Sequence, residues 1–218
     1  MKKLLFCAVG LFLAWSGMLS AQAQELSGDA AAGSRKIAMC LGCHGITGYR
    51  ATFPQVYRVP KISGQGEGYI VAALTAYKQG ERKHPTMRGI ASGLSDQDMA
   101  DIAAYYASRG GLGRTVAETT TDAAGLELVT RGGCVGCHGV NLNQPVLPTY
   151  PRIAGQYPDY LFAALSAYKT NAHTLWGRNN PIMGAVVQQF STKELHELAQ
   201  YVSSLPGQLR TTSEGEFK

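Results

Sequence analysis

Cys40-Leu41-Gly42-Cys43-His44 returns in the second half of the chain as Cys134-Val135-Gly136-Cys137-His138. Cys-x-x-Cys-His is the attachment pattern of a c-type haem. Two intervening residues bring both thiols to one side of a helical turn, where they add to the two vinyl groups along one porphyrin edge. The adjoining histidine then reaches the iron as its first axial ligand. A redox dithiol or half of a zinc site also uses neighbouring thiols. Neither explains a histidine directly after both pairs, and a zinc centre built from these ligands has to bridge the two halves. The motifs therefore imply two covalently bound haem c groups, each with its iron.

Residues 1–23 read as a secretory leader. Lys2 and Lys3 form its charged start, an apolar stretch follows, and Ala21-Gln22-Ala23 is an A-x-A cleavage site. An uncleaved anchor is the alternative, but the apolar run falls short of the ~20 residues of a membrane span, and Ser16 and Gly17 interrupt it. Cys7, the one cysteine outside the motifs, lies inside this leader. The expectation is export to the periplasm, with peripheral membrane association left open. Twenty basic side chains face 15 acidic ones, and two of the twenty are the leader lysines. Haem propionates add negative charge, so the basic balance is no argument for nucleic-acid binding. Residues 24–112 carry ten basic and seven acidic groups against eight of each in 113–218; an acidic partner face meets the first half more readily.

The two halves match in order beyond the haem motifs, the signal of an internal repeat. Pro60-Lys-Ile-Ser-Gly-Gln65 returns as Pro151-Arg-Ile-Ala-Gly-Gln156. Tyr69-Ile-Val-Ala-Ala-Leu-Thr-Ala-Tyr77-Lys78 returns as Tyr160-Leu-Phe-Ala-Ala-Leu-Ser-Ala-Tyr168-Lys169, and each copy then has Pro-x-Met. Helical spacing predicts an all-α fold, with helices over 29–40 and 122–131 leading into the haem motifs and others over 69–79 and 160–170. Ser95 with Asp98 and Ser191 with Glu194 mark the starts of closing helices. Residues 110–121, rich in glycine and threonine, read as a connection. The organisation is a leader at 1–23, a domain at 24–110, a linker at 111–121 and a second domain at 122–218. Each domain is small enough that a covalently held porphyrin supplies part of its apolar centre.

A low-spin electron carrier needs a sixth ligand from the opposite porphyrin face. Met87 and Met183 lie 43 and 45 residues beyond His44 and His138 at matching places in the repeat. A thioether favours ferrous iron and raises the potential relative to a second histidine. Core packing is the usual role of a single methionine; Met39, directly before Cys40, is tied to the proximal side, Met99 fits packing in the closing helix beside Ile102 and Ala103, and neither has a methionine counterpart in the other half. His84 and His173 compete as ligands but do not align with one another. Pro60 and Pro151 are candidates to accept a bond from the proximal imidazole, and Tyr77, Lys78, Tyr168 and Lys169 to bond propionates.

With these features the mature chain resembles the di-haem cytochrome c4 family. The resemblance implies two tandem class I cytochrome c domains related by a pseudo-twofold axis, with His44 and Met87 on one iron and His138 and Met183 on the other. The cofactor-binding set is then Cys40, Cys43, His44, Met87, Cys134, Cys137, His138 and Met183, with no catalytic residue. It implies a carrier of single electrons without a small-molecule substrate, passing them between redox proteins such as a quinol-oxidising bc-type complex and a terminal oxidase. The alternative is the electron-accepting subunit of a dehydrogenase, such as a flavocytochrome sulfide dehydrogenase. A di-haem peroxidase or thiosulfate-oxidising enzyme needs an open or unusual iron ligand, against which two methionines argue. Between the lysine and the methionine the second copy is five residues longer than the first, around 172–178.

Overall fold

The computed structural model describes residues 26–111, 122–170 and 173–213. The leader read at 1–23, and all of the linker read at 111–121 except Gly111, lie outside the described residues. The first half runs α1 (Ala30–Ser34), α2 (Ala38–His44), β1 (Arg50–Ala51), β2 (Tyr57–Arg58), α3 (Glu67–Gln79), β3 (Arg82–Lys83), α4 (Pro85–Ser92) and α5 (Asp96–Ser108). The second runs α6 (Ala123–Arg131), α7 (Val135–His138), α8 (Pro158–Lys169), β4 (Gly177–Arg178), α9 (Pro181–Gln188) and α10 (Thr192–Ser204). The strands are two-residue ribbons in a helical protein. Among the described residues no helix is long and apolar enough to cross a membrane.

The helix expected over 29–40 is two helices. Asp29 caps α1 by accepting from the Ala31 amide, and the helix closes with the Arg35 amide donating to the Ala32 carbonyl at 3.1 Å and the Lys36 amide to the Gly33 carbonyl at 2.8 Å. The turn lets Ile37, 2% exposed, enter the core before α2 begins, with Cys40 and Leu41 packed against the same cluster. Helical spacing alone hides such a break, because a tight turn keeps Ile37 on an apolar face. In the second half α6 starts at its cap Asp122 as expected, the carboxylate accepting from the Gly125 amide at 3.0 Å.

The closing helices start where the sequence places them. Ser95 and Asp98, and Ser191 and Glu194, form reciprocal capping boxes, satisfying amides that the first turn leaves free. Each half has its own core. Ile37, Ile70, Leu74, Met99 and Ile102 centre the first, with Cys40 and Met87 against it. Leu128, Leu161, Phe190, Leu195 and Leu198 centre the second, with Cys134 and Met183 against it. Tight seams seat the opening helix on the closing one. A Cβ on Gly33 would lie 2.1 Å from the Asp101 carbonyl oxygen, and one on Gly125 would lie 2.5 Å from the Tyr201 ring.

The halves meet through β3 and β4, which pair antiparallel with Arg82 opposite Arg178. Arg82 and Arg178 stand five residues before Met87 and Met183, so the repeat regains its register here and the five extra residues are confined between Lys169 and Arg178. The end of the described chain returns to the first half. The Arg210 amide donates to the Ser63 carbonyl at 3.0 Å, and Thr212 Oγ1 lies 2.6 Å from Ser63 Oγ.

Candidate haem sites

The two motif histidines are held alike. His44 Nδ1 donates to the Pro60 carbonyl at 2.9 Å and His138 Nδ1 to the Pro151 carbonyl at 2.8 Å, the role expected of both prolines. A proton on Nδ1 leaves the Nε2 lone pair for a metal and fixes the plane of the ring. Burial lowers the pKa of both imidazoles, more than the proline carbonyls raise it, and a neutral ring is the ligating form. Burial also pushes the Cys40 and Cys134 thiols up. Among the described residues no cluster of three or more His, Cys, Asp or Glu side chains is arranged to hold a metal ion, so the zinc alternative gains nothing.

Met87 and Met183 occupy equivalent places in α4 and α9, in the first turn of a short helix. Proline at N1 fixes the entry angle and removes a donor that has no helical partner. The Met87 amide donates to the His84 ring nitrogen Nδ1 at 3.3 Å, and the Met183 amide to Asn180 Oδ1 at 2.9 Å. His84 therefore does the capping work that asparagine does in the second half. His173 accepts from the Leu175 amide at 3.2 Å and lies against Trp176. Cys40 with Met87, and Cys134 with Met183, each line one core, so motif and methionine converge within each half.

Two expected propionate contacts go elsewhere. Lys78 Nζ donates to the Leu94 carbonyl at 2.6 Å, and Lys169 Nζ to the Phe190 carbonyl. Each lysine thereby ties α3 or α8 to the residue before a capping box. Tyr77 and Tyr168 lie under the guanidinium groups of Arg82 and Arg178, at 4.6 and 5.2 Å from ring centroid to Cζ.

Those arginines escaped the sequence reading. Both donate to the Tyr160 hydroxyl, Arg82 at 3.2 Å and Arg178 at 3.0 Å. Burial pushes the Tyr160 phenol up, but the two cations outweigh it and hold its pKa down to about 8. Neither arginine has a carboxylate partner among the described residues, and Arg82 Nε is buried with no acceptor. Two neighbouring half-buried cations call for anionic partners. Haem propionates are such anions, and Arg82 and Arg178 would pair with them, so the residues present fit two haem groups. The available signal was the shared five-residue spacing to methionine.

The glutamines of the repeated Pro-[Lys/Arg]-Ile-x-Gly-Gln stretches were also missed. Each is 4% exposed and reaches across to the other half. Gln65 bonds the backbone of Arg152, and Gln156 the backbone of Lys61. Lys61 Nζ donates to the Gly155 carbonyl and Arg152 Nη1 to the Gly64 carbonyl, both at 2.6 Å. The repeat is thus an interdomain clasp as well as a histidine support.

The cytochrome c family model matches residues 30–109 and 123–206. Cytochrome c4 of Azotobacter vinelandii is 33% identical over 202 residues, covering 82% of this chain and 90% of its own. A thiosulfate dehydrogenase electron acceptor of Stutzerimonas stutzeri (strain A1501) is 30% identical, covering 89% of this chain and 93% of its own. The crystal structure of reduced recombinant cytochrome c4 from Pseudomonas stutzeri aligns with a TM-score of 0.64 at 33% identity, covering 82% of this chain and 100% of that one. Each matched segment contains one Cys-x-x-Cys-His motif, giving two domains that bind covalent haem c.

Proposed function

We propose, since the chain belongs to the cytochrome c4 family of di-haem electron-transfer proteins, that it carries single electrons through the periplasm from a quinol-oxidising bc-type complex to a terminal oxidase. The observation that carries this reading is the convergence, in each half, of a motif cysteine and a helix-fixed methionine on one core, beside a motif histidine whose Nδ1 is held by a proline carbonyl. His44 and Met87 would hold one iron and His138 and Met183 the other, and the four motif cysteines would form the thioethers. Haem supplies a one-electron ferric–ferrous couple when bound. The chain's own residues keep the coordination the same in both states. Pro60 and Pro151 hold the imidazoles, His84 and Asn180 hold the methionine-bearing turns, and the apolar cores keep water away. Arg82 and Arg178 offset propionate charge at the junction.

Absorption spectra of the oxidised and reduced protein, with a haem-to-protein ratio, test the ligand set. Two low-spin haems, each with the weak ferric methionine-to-iron band, are expected; a high-spin or methionine-free haem overturns the assignment in that half. Turnover with oxidase-containing membranes tests the route, and failure of the reduced protein to donate at a useful rate rejects it.

A second reading has its own support in the 30% identical relative named as a thiosulfate dehydrogenase electron acceptor. Here the same two sites take electrons from a dehydrogenase. Reduction by a purified sulfur-oxyanion or sulfide dehydrogenase faster than by a bc-type complex, with co-purification, selects it.

A further inference from the structure

The stretches Pro60-Lys-Ile-Ser-Gly-Gln65 and Pro151-Arg-Ile-Ala-Gly-Gln156 use a single peptide group for two purposes. The Pro60 carbonyl accepts from His44 Nδ1 at 2.9 Å, and the N–H of that same peptide, on Lys61, donates to Gln156 Oε1 at 3.0 Å. In the other half the Pro151 carbonyl accepts from His138 Nδ1 at 2.8 Å, and the Arg152 N–H donates to Gln65 Oε1 at 2.9 Å. The glutamine orientation is fixed, because each Nε2 donates to a carbonyl across the junction: Gln156 to Lys61 at 2.8 Å, Gln65 to Arg152 at 2.9 Å. Each Oε1 also accepts the next amide of its own chain segment, Tyr157 or Gly66, at 3.0 Å.

We propose that each glutamine tunes the haem of the opposite domain: Gln156 acts on the His44 iron through the Pro60–Lys61 peptide, and Gln65 on the His138 iron through the Pro151–Arg152 peptide. The inference rests on the axial roles given to the two histidines under Proposed function. A bond donated by a peptide N–H polarises the group and makes its carbonyl a stronger acceptor. The stronger acceptor draws the Nδ1 proton, makes the imidazole more imidazolate-like, and strengthens the Nε2 donor toward ferric iron. Removing the glutamine weakens this chain and raises the potential of the haem across the junction. The same path runs backwards. Oxidation of one iron makes its Nδ1–H a stronger donor and tightens the glutamine bond at the other end, so the junction senses the charge state of each site. Lys61 and Arg152 hold the glycine before each glutamine, which keeps the clasp closed while its polarisation changes. Gln65 and Gln156 are positioning residues; neither touches iron.

The test is a haem-resolved redox titration of the holoprotein carrying Gln156→Leu or Gln65→Leu, followed by NMR of the haem methyl groups. Gln156→Leu is expected to raise the reduction equilibrium constant of the His44 haem about two- to threefold, or ~18–28 mV at 59 mV per tenfold for one electron. The His138 haem should move by less than half of that. Gln65→Leu should give the mirror result. In the reduced protein the His44 Nδ1 proton resonance should move upfield in Gln156→Leu and stay in place in Gln65→Leu. A shift of the haem in the glutamine's own domain, equal shifts of both, or no shift overturns the proposal. Gln156→Met and Gln65→Met, which keep the side-chain length, carry the same expectations if a leucine variant fails to fold. Spectra of the unaltered protein separate the two levels: loss of a histidine–methionine haem there overturns the site assignment, whereas two such haems without crossed shifts overturn only the tuning.

Discussion

The two halves share the proposed haem ligands and the junction and differ most along the seam between opening and closing helices. Both have the proline-held histidine, the capped Pro-x-Met turn, the half-buried arginine and the crossing glutamine. The seams are built differently. In the first half Asp101, 3% exposed, accepts from the Asp29 amide, Lys36 Nζ and Gln97 Nε2. In the second, Arg131 and Glu194 pair near the surface, and Gly125 seats against the Tyr201 ring. The cofactor and the partner domain constrain what is duplicated, whereas a helix seam has many adequate solutions.

The largest effect should come from breaking one ligand set and leaving the other. Met87→Ala or Met183→Ala is expected to remove the ferric methionine-to-iron band from one haem only. That haem's potential should fall by a few tenths of the roughly 0.8 V that axial ligands span. Protein-film voltammetry reads both couples; a variant that keeps both potentials and both bands shows that the wrong methionine was chosen.

The seams give the next contrast. A methyl on Gly33 meets backbone, 2.1 Å from the Asp101 carbonyl oxygen, and cannot be accommodated without separating α1 from α5. Gly33→Ala should cost about 3 kcal/mol, the upper end for overpacking. A methyl on Gly125 meets no backbone atom but lies 2.5 Å from the Tyr201 Cβ and Cγ, which ring rotation does not move, so Gly125→Ala should cost somewhat less, about 2 kcal/mol. Denaturant titrations of the holoprotein compare them, and equal costs would mean that the second seam is as rigid as the first.

Acid should separate the seams further. The Asp29 amide, Lys36 and Gln97 hold the Asp101 carboxyl down to about 2. Its folded pKa lies below the unfolded value, so its stabilisation is full above the ordinary carboxylate range near ~3.9 and is lost as pH falls toward 2. Glu194 is likewise held at about 2, by Arg131 and the Ser191 cap, but with more solvent exposure, so salt screens the Arg131 part. Asp101→Asn should destabilise the first domain at neutral pH and flatten its acid-unfolding curve. Glu194→Gln should give a smaller loss in the second domain, reduced by added salt. The reverse order of effects would place the stronger seam in the second half.

Motif, repeat and caps were legible because they are local. Cys-x-x-Cys-His, Pro-x-Met and Ser-x-x-[Asp/Glu] each state a chemistry within six residues, and duplication singled out Met87 and Met183 from Met39 and Met99. What escaped depends on distant partners. Lys78 and Lys169 have the length to reach a propionate and instead close a carbonyl before a capping box. Arg82 and Arg178 belong to no motif, and only the ribbon sets them side by side. The glutamines ended a turn motif in the sequence, and only the packing of two domains turned them into reciprocal contacts. The break at Arg35 escaped although Gly33 and Ser34 before it are weak helix formers, because the apolar periodicity continues across it.

One difference lies inside the haem pockets. The capping-box register equates Tyr106 with Val202, both buried in the closing helices. Burial pushes the Tyr106 phenol far up, so it stays protonated at any working pH. Its hydroxyl has no oxygen or nitrogen partner among the described residues and lies close enough to Cys40 to shift the thiol. A buried O–H turns toward whatever acceptor is present, and as a thioether the Cys40 sulfur is a weak acceptor with no proton to offer. With its positive end turned toward that sulfur, the dipole would disfavour a ferric state of the group that Cys40 would hold, a contribution that Val202 cannot make in the second half. Tyr106→Phe keeps the ring and the packing and removes only the dipole. It should lower the reduction constant of the first haem by about twofold, ~18 mV at 59 mV per tenfold, and leave the second haem unmoved. Because the phenol does not titrate, the shift should be the same at pH 6 and pH 9; a shift that varies with pH, or one shared by both haems, would assign the effect to packing or to another group.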